Sequence, residues 1–200
     1  SIATLMLNVA AGAFGDAAIA GMSIVTRISF FTYAMVIGLG QGFQPLCGFC
    51  YGAKLYGRVK EAFFFCIRCG TVFLAVCALI GFIFSTSIIS IFRDDAAVVA
   101  VGSVALRWQV LSFPLVASIV LTNMLMQTIR KPVRANIVAA ARSGLFFIPL
   151  IFILPYFFGL LGVEMCQMWA DCCSFAVAVP IAWSAFRDMR REKMELGKSH

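Results

Sequence analysis

Apolar positions in this chain form long unbroken stretches separated by short polar breaks. Residues 28–53, 69–92, 108–129 and 143–163 carry no charged side chain. Each stretch is about twenty residues or longer, enough for a helix to cross a hydrocarbon layer of roughly 30 Å. The two-residue alternation of a membrane barrel is absent. Backbone exposed to lipid must satisfy its own hydrogen bonds, so helices are the remaining solution. Breaks fall near Gly15-Asp16, over residues 52–60, at Arg93-Asp94-Asp95, from Arg130 to Arg134, and in a short apolar turn over residues 156–162. They predict six membrane helices over about residues 1–14, 18–51, 62–92, 96–129, 133–155 and 163–186, followed by a tail over 187–200. The expected fold class is all-α, a polytopic membrane helix bundle.

Charge sorts the breaks into two sides. Lys54, Arg58 and Lys60 occupy one break, Arg130, Lys131 and Arg134 another, and Arg187, Arg190, Arg191, Lys193 and Lys198 the tail. The intervening breaks contribute only Arg93. Basic loops stay in the cytoplasm, so these breaks and the basic tail are expected there, in a multi-pass plasma-membrane protein of the bacterial inner-membrane type. Composition agrees: 62% hydrophobic and 12% charged residues with a mean hydropathy of +0.97 leave too little polar surface to coat a water-soluble globule. The net charge of +7 would suggest nucleic acid in a soluble protein. Here the cations flank apolar spans and meet the lipid bilayer, so no nucleic-acid partner is expected. The chain begins at Ser1 within a span, which reads as a cut through a longer protein, with the first helix truncated.

Charges within or near spans need a partner, a wet cavity or a place at the interface, because a charge at mid-bilayer costs roughly 2.5–3.5 kcal/mol on insertion scales. Arg68 and Glu164 lie within two turns of a span end and are expected to snorkel. Arg107, Arg142 and Asp171 lie deeper and are expected to face a polar cavity or brace helices around it, with Asp171 paired to an arginine as the structural alternative. The densest local pattern is Gly38-Leu39-Gly40-Gln41-Gly42-Phe43-Gln44-Pro45, then Gly48 and Gly52. The spacings Gly38/Gly42 and Gly48/Gly52 predict close approach of another helix. Pro45 removes a backbone donor and is expected to bend the helix below the two glutamines. Cys47-x2-Cys50 and Cys66-x2-Cys69 match a zinc-ribbon spacing. They lie on consecutive membrane helices without knuckle-forming turns, so the thiols read as small apolar fillers, with no metal, no disulfide and no cofactor expected.

Gly40-Gln41-Gly42-Phe43-Gln44-Pro45-Leu46 running into Gly48 and Tyr51-Gly52-Ala53, then Arg58-Val59, resembles the second-lobe repeat of the multidrug and toxic compound extrusion (MATE) transporters. Gly15-Asp16 ahead of Arg27, Gln127 before the basic loop, Arg142-Ser143-Gly144 leading to Ile148-Pro149, residues 159–163 and Trp169-Ala170-Asp171 agree in order and spacing. The resemblance covers essentially the whole chain and implies helices seven to twelve of a twelve-helix transporter whose N-terminal six-helix lobe is missing. It further implies an antiporter that exports small organic, cationic drugs or toxins in exchange for H⁺ or Na⁺. Substrate sites in such transporters lie between the repeats. Asn8, Gln41, Gln44, Asn123 and Arg142 are then substrate-cavity candidates, while Pro45, Arg107 and Asp171 are structural or coupling candidates. Met124, Met126, Phe113 and Phe147 are candidates for an adaptable lining.

One departure bears on mechanism. Some members carry acidic coupling residues in this lobe's first and fourth helices, whereas residues 96–129 hold no Asp or Glu. The coupling carboxylate is therefore expected in the missing lobe, with Asp171 as the weaker choice. A lipid-linked oligosaccharide flippase of the same superfamily is the alternative, in which Arg107 and Arg142 would bind pyrophosphate. An intramembrane enzyme is the remote one: the single His is His200 and no Ser-His or paired-Asp arrangement appears, so no enzyme is expected.

Overall fold

The computed structural model describes residues 2–198, leaving out the side chains of residues 2–4, 6, 8, 143 and 196–198. The described residues are helical almost throughout: α1 (Ile2–Gly12), α2 (Asp16–Gly52), α3 (Tyr56–Ile83), α4 (Ser85–Phe92), α5 (Ala96–Thr128), α6 (Pro132–Ala140), a π-helical turn (Ala141–Leu145), α7 (Phe147–Phe158) and α8 (Leu160–Lys198). Four of them, α2, α3, α5 and α8, are long and apolar enough to span a membrane. Large apolar side chains face outward, among them Phe31, Phe49, Val72, Ile91 and Phe157. That surface would aggregate in water and suits lipid.

Helix α5 is the axis. It packs against α2, α3, α4, α6 and α8, and its buried residues run from Val98 to Met126. Close approach is set by glycines at the crossings. A β-carbon on Gly21 would sit 3.1 Å from the Gly102 nitrogen, and one on Gly70 3.1 Å from the Ala117 β-carbon. The expectation at Gly38 and Gly42 fails, because both are exposed and a β-carbon on either meets nothing within 4 Å. Gly40 makes the contact instead, receiving the flexible Met124 side chain. Two residues along a helix is a turn of about 200°, so Gly38 and Gly40 face opposite ways.

Several expected boundaries shift for local reasons. The third span divides at Phe84 into α3 and α4. The fifth divides at the π-helical turn, where the Phe146 amide reaches back five residues to Ala141 (3.3 Å). Pro149 has no N–H for the Leu145 carbonyl, and its ring crowds that carbonyl, so an uninterrupted α-helix is disfavoured here. The turn expected over 156–162 shrinks to Gly159, whose φ of 58° favours glycine. Helix α2 continues through Pro45 to Gly52. The tail continues α8 as helix to Lys198, a rod of about 58 Å at 1.5 Å per residue, longer than the hydrocarbon layer.

The basic end has its own core, built from Phe43, Cys47, Val59, Phe63, Leu125 and Met189 with their neighbours. Lys131 and Arg134 both reach Asp188 (2.5 and 3.0 Å), tying the start of α6 to α8. The Tyr56 hydroxyl donates to Glu192 (2.8 Å) and ties α3 to the same helix.

At the other end, a β-carbon on Gly162 would overlap the Leu154 carbonyl and the Pro155 nitrogen, both backbone atoms. Gly162→Val is expected to lower the thermal unfolding midpoint in detergent, by overpacking of about 1–3 kcal/mol or more. Gly38→Ala is expected to leave the midpoint unchanged, and equal midpoints for the two variants would contradict this packing.

Candidate functional site

Polar side chains meet away from the helix ends, where α2, α5, α8 and the π-helical turn converge. Asp171 on α8 is fully buried. Its Oδ1 accepts from Arg142 Nε (3.1 Å) and from Gln167 Nε2 (3.3 Å), and its Oδ2 accepts from Ser112 Oγ (2.9 Å). The Arg142 guanidinium lies over the Tyr33 ring, 4.5 Å from its centre. Gln109 Nε2 donates to the Tyr33 hydroxyl (2.8 Å), which closes the network between α5 and α2.

Each position follows from local structure. Gln109 and Ser112 are three residues apart and therefore share a face of α5. Gln167 and Asp171 share a face of α8 at a spacing of four. Arg142 sits in the wide turn that Pro149 helps to impose, which lifts its side chain out of the ordinary helical register. Ser112 Oγ has one proton and lies 2.9 Å from both Asp171 Oδ2 and the Gln109 carbonyl. A carboxylate paired with arginine only accepts, so that proton points to Asp171. Asp171 lies about 17 Å along α8 at 1.5 Å per residue, inside the hydrocarbon depth.

The other expected site residues do not join this cluster. Gln41 and Pro45 are exposed and Gln44 is half-buried, on a stretch of α2 about 12 Å or more beyond Tyr33 toward the basic end. With Gly38 and Gly42 they form an uncovered polar and small-residue face. Asn123 is half-buried and donates to the Ala135 carbonyl (2.8 Å) while accepting from Gln127, so it ties α5 to α6. The side chain of Asn8 lies outside those described. Arg107 corrects its expectation: it is exposed, donates from Nε to Ser85 Oγ (2.9 Å) and stands over Phe82. The break at Phe84 brings Ser85 against α5 and draws Arg107 away from the network. Phe113, Met126 and Phe147 are core residues, and Met124 fills the notch at Gly40.

Glu164 is a second correction. It is buried at 3% exposure, and its Oε2 has no hydrogen-bond partner among the described residues, so it does not snorkel. Helices α1 and α7 both pack on α8, the helix that carries it. Cys47, Cys50 and Cys66 are buried in the core of the basic end, while Cys69 is exposed on α3.

A family model described as MatE matches residues 1–153. The chain belongs to the MatE family. Among relatives of this MatE chain, the multidrug export protein MepA of Staphylococcus saprophyticus is 28% identical over 193 residues, covering 96% of this chain and 42% of the relative. MepA of Staphylococcus aureus strain N315 is 29% identical over 180 residues, covering 90% of this chain and 39% of the relative. The chain thus spans about two fifths of the length of these relatives. Among solved structures, the MATE transporter VcmN of Vibrio cholerae in its bent form superposes with a TM-score of 0.88 at 19% identity, over 94% of this chain and 43% of that one. A MOP superfamily transporter from Pyrococcus furiosus gives 0.89 at 16% identity, over 95% and 43%. These likenesses show the fold of a MATE helical bundle. Proteins of this family are transporters, not enzymes.

Reading the sequence missed Tyr33, Gln109, Ser112 and Gln167, which complete the network in this MatE bundle. Two signals were present, the polar pair at 109 and 112 within an apolar helix and the pair at 167 and 171. Glu164→Met is expected to raise the thermal midpoint in detergent, since it removes a buried unpaired acceptor whose desolvation costs about 1–3 kcal/mol. Ser112→Ala is expected to lower it by depriving Asp171 Oδ2 of its donor. A fall in the first variant or no change in the second would contradict these assignments.

Proposed function

We propose that this chain forms the second six-helix lobe of a two-lobe antiporter that exports small organic, cationic compounds in exchange for H⁺ or Na⁺. The observation that carries the reading is the uncovered face of α2, where Gln41 and Gln44 stand among glycines and no described residue fills it. Uncharged amides hold varied ligands through a few hydrogen bonds at modest desolvation cost. A face of this kind suits a cleft shared with an N-terminal lobe, and the relatives' length leaves room for one. The distribution of Lys and Arg supports a cytoplasmic side for the basic loops and the tail.

The network around Asp171 is given a structural role: it locks α2, α5, the π-helical turn and α8 into one body that moves as a unit. The coupling carboxylate is placed in the other lobe. Glu164 supports a second reading for this lobe, because it is buried with a carboxylate oxygen left open to a proton or cation. The flippase alternative needs Arg107 and Arg142 free for pyrophosphate. Arg142 is engaged by Asp171 and Tyr33, and Arg107 by Ser85, which argues against it.

Cells expressing the complete gene are expected to accumulate less ethidium than controls, and unchanged accumulation at verified expression would contradict drug export. Build-up of lipid-linked precursor on loss of the gene would favour the flippase instead. Asp171→Asn is expected to keep ion-driven efflux per folded molecule. Loss of coupling in Glu164→Gln, with folding intact, would move the coupling seat into this lobe.

A further inference from the structure

A cavity lies at the basic end, between the start of α3 and the last turns of α8, with a volume of about 680 Å³. Two helix faces build it. On α8, Trp183, Arg187, Arg190 and Lys193 recur at spacings of three and four, which aligns them along one side. On α3, Lys60 and Phe64 are one turn apart and face them. Among the described residues the lining therefore holds four cations and no carboxylate.

Two nearby acids are engaged elsewhere, while Glu61 and Glu195 are exposed and pair with none of the four cations among the described residues. Asp188 is held by Lys131 and Arg134, and Glu192 accepts from Tyr56. Among the described residues, no ion pair uses Lys60, Arg187, Arg190 or Lys193. Lys60 Nζ stands 5.9 Å from the centre of the Phe64 ring, and Phe64 stacks on Phe186. Trp183 is 74% exposed at the apolar edge of the cavity. From that edge the surface continues into the outward-facing phenylalanines of α3, with Phe65 66% exposed.

The cavity thus has a cationic end beyond the apolar span and an aromatic end within it. A soluble anion would use only the first, and an apolar compound only the second. We propose that this cavity binds an anionic phospholipid, its phosphodiester held by Arg187, Arg190, Lys193 and Lys60 and its acyl chains lying along Trp183 and Phe64. Basic pockets between membrane helices at the cytoplasmic side suit such headgroups, and each cation near the surface adds about fivefold in affinity. The inference rests on the membrane reading above, but not on the choice of exported compound.

The test uses the purified membrane protein that carries this chain, titrated in zwitterionic nanodiscs with fluorescent phosphatidylglycerol. The triple variant Arg187→Gln, Arg190→Gln, Lys193→Gln is expected to weaken binding about a hundredfold or more. Arg130→Gln, at the same end but outside the cavity, is expected to leave binding within about threefold, as is the charge-keeping pair Arg187→Lys, Arg190→Lys. Equal losses in the triple variant and Arg130→Gln would overturn the site. So would displacement of the lipid by inorganic phosphate at matched concentration, which would assign the cations to a soluble anion. Membrane insertion of wild type and variants is followed by carbonate extraction. Extracted protein would sink the membrane reading itself, whereas inserted protein without lipid preference sinks this site alone.

Discussion

A carboxylate buried at hydrocarbon depth and held by a largely covered guanidinium has no water to fall back on, and this constraint organises the lobe. Asp171 must be satisfied by the protein, so the elements supplying Ser112 and Arg142 are brought to it, and Gln167 adds a donor from its own helix. Tyr33 covers the open face of Arg142 and extends the requirement to α2. In a bilayer, lipid tails are as apolar as leucine, so burial of apolar surface gives little preference for one helix neighbour over another. Glycine notches and a satisfied polar network do give such a preference.

The rest of the bundle is arranged around that network. Gly21 against Gly102 and Gly70 against Ala117 let α2 and α3 close on α5. The basic end is tied separately, through Asp188 and Glu192 on the extension of α8. This division leaves the outer face of α2 near Gln41 free of structural duties. A rigid body with one uncovered polar face is the form expected of a half that rocks against another half.

What the sequence revealed depended on the range of the cause. Charge-free stretches and basic breaks reflect the bilayer itself, so spans and their ends were visible without any tertiary knowledge. Asp95 at the start of α5, accepting from the Ala97 amide (3.0 Å), is a local cap and falls at an expected break. The π-helical turn was not visible, because it arises from Pro149 acting on a carbonyl four residues earlier. Gly38 and Gly42 have the spacing of a contact, but Gly40 lies on the side where Met124 stands, and spacing alone does not choose a side. Glu164 illustrates the same limit: nearness to a span end says nothing of what packs over it laterally. Arg107 was misplaced because the break at Phe84, which brings in Ser85, has no polar marker.

The most direct measurement is a double-mutant cycle on Arg142 and Asp171, read as unfolding free energy of the purified protein in detergent. The account predicts that Arg142→Met costs about 3–5 kcal/mol, since it strands the buried Asp171 carboxylate, that Asp171→Leu costs less because the Arg142 side chain is partly exposed, and that the double variant recovers most of the Arg142→Met loss. Additive losses, or single variants as stable as the wild type, would contradict it.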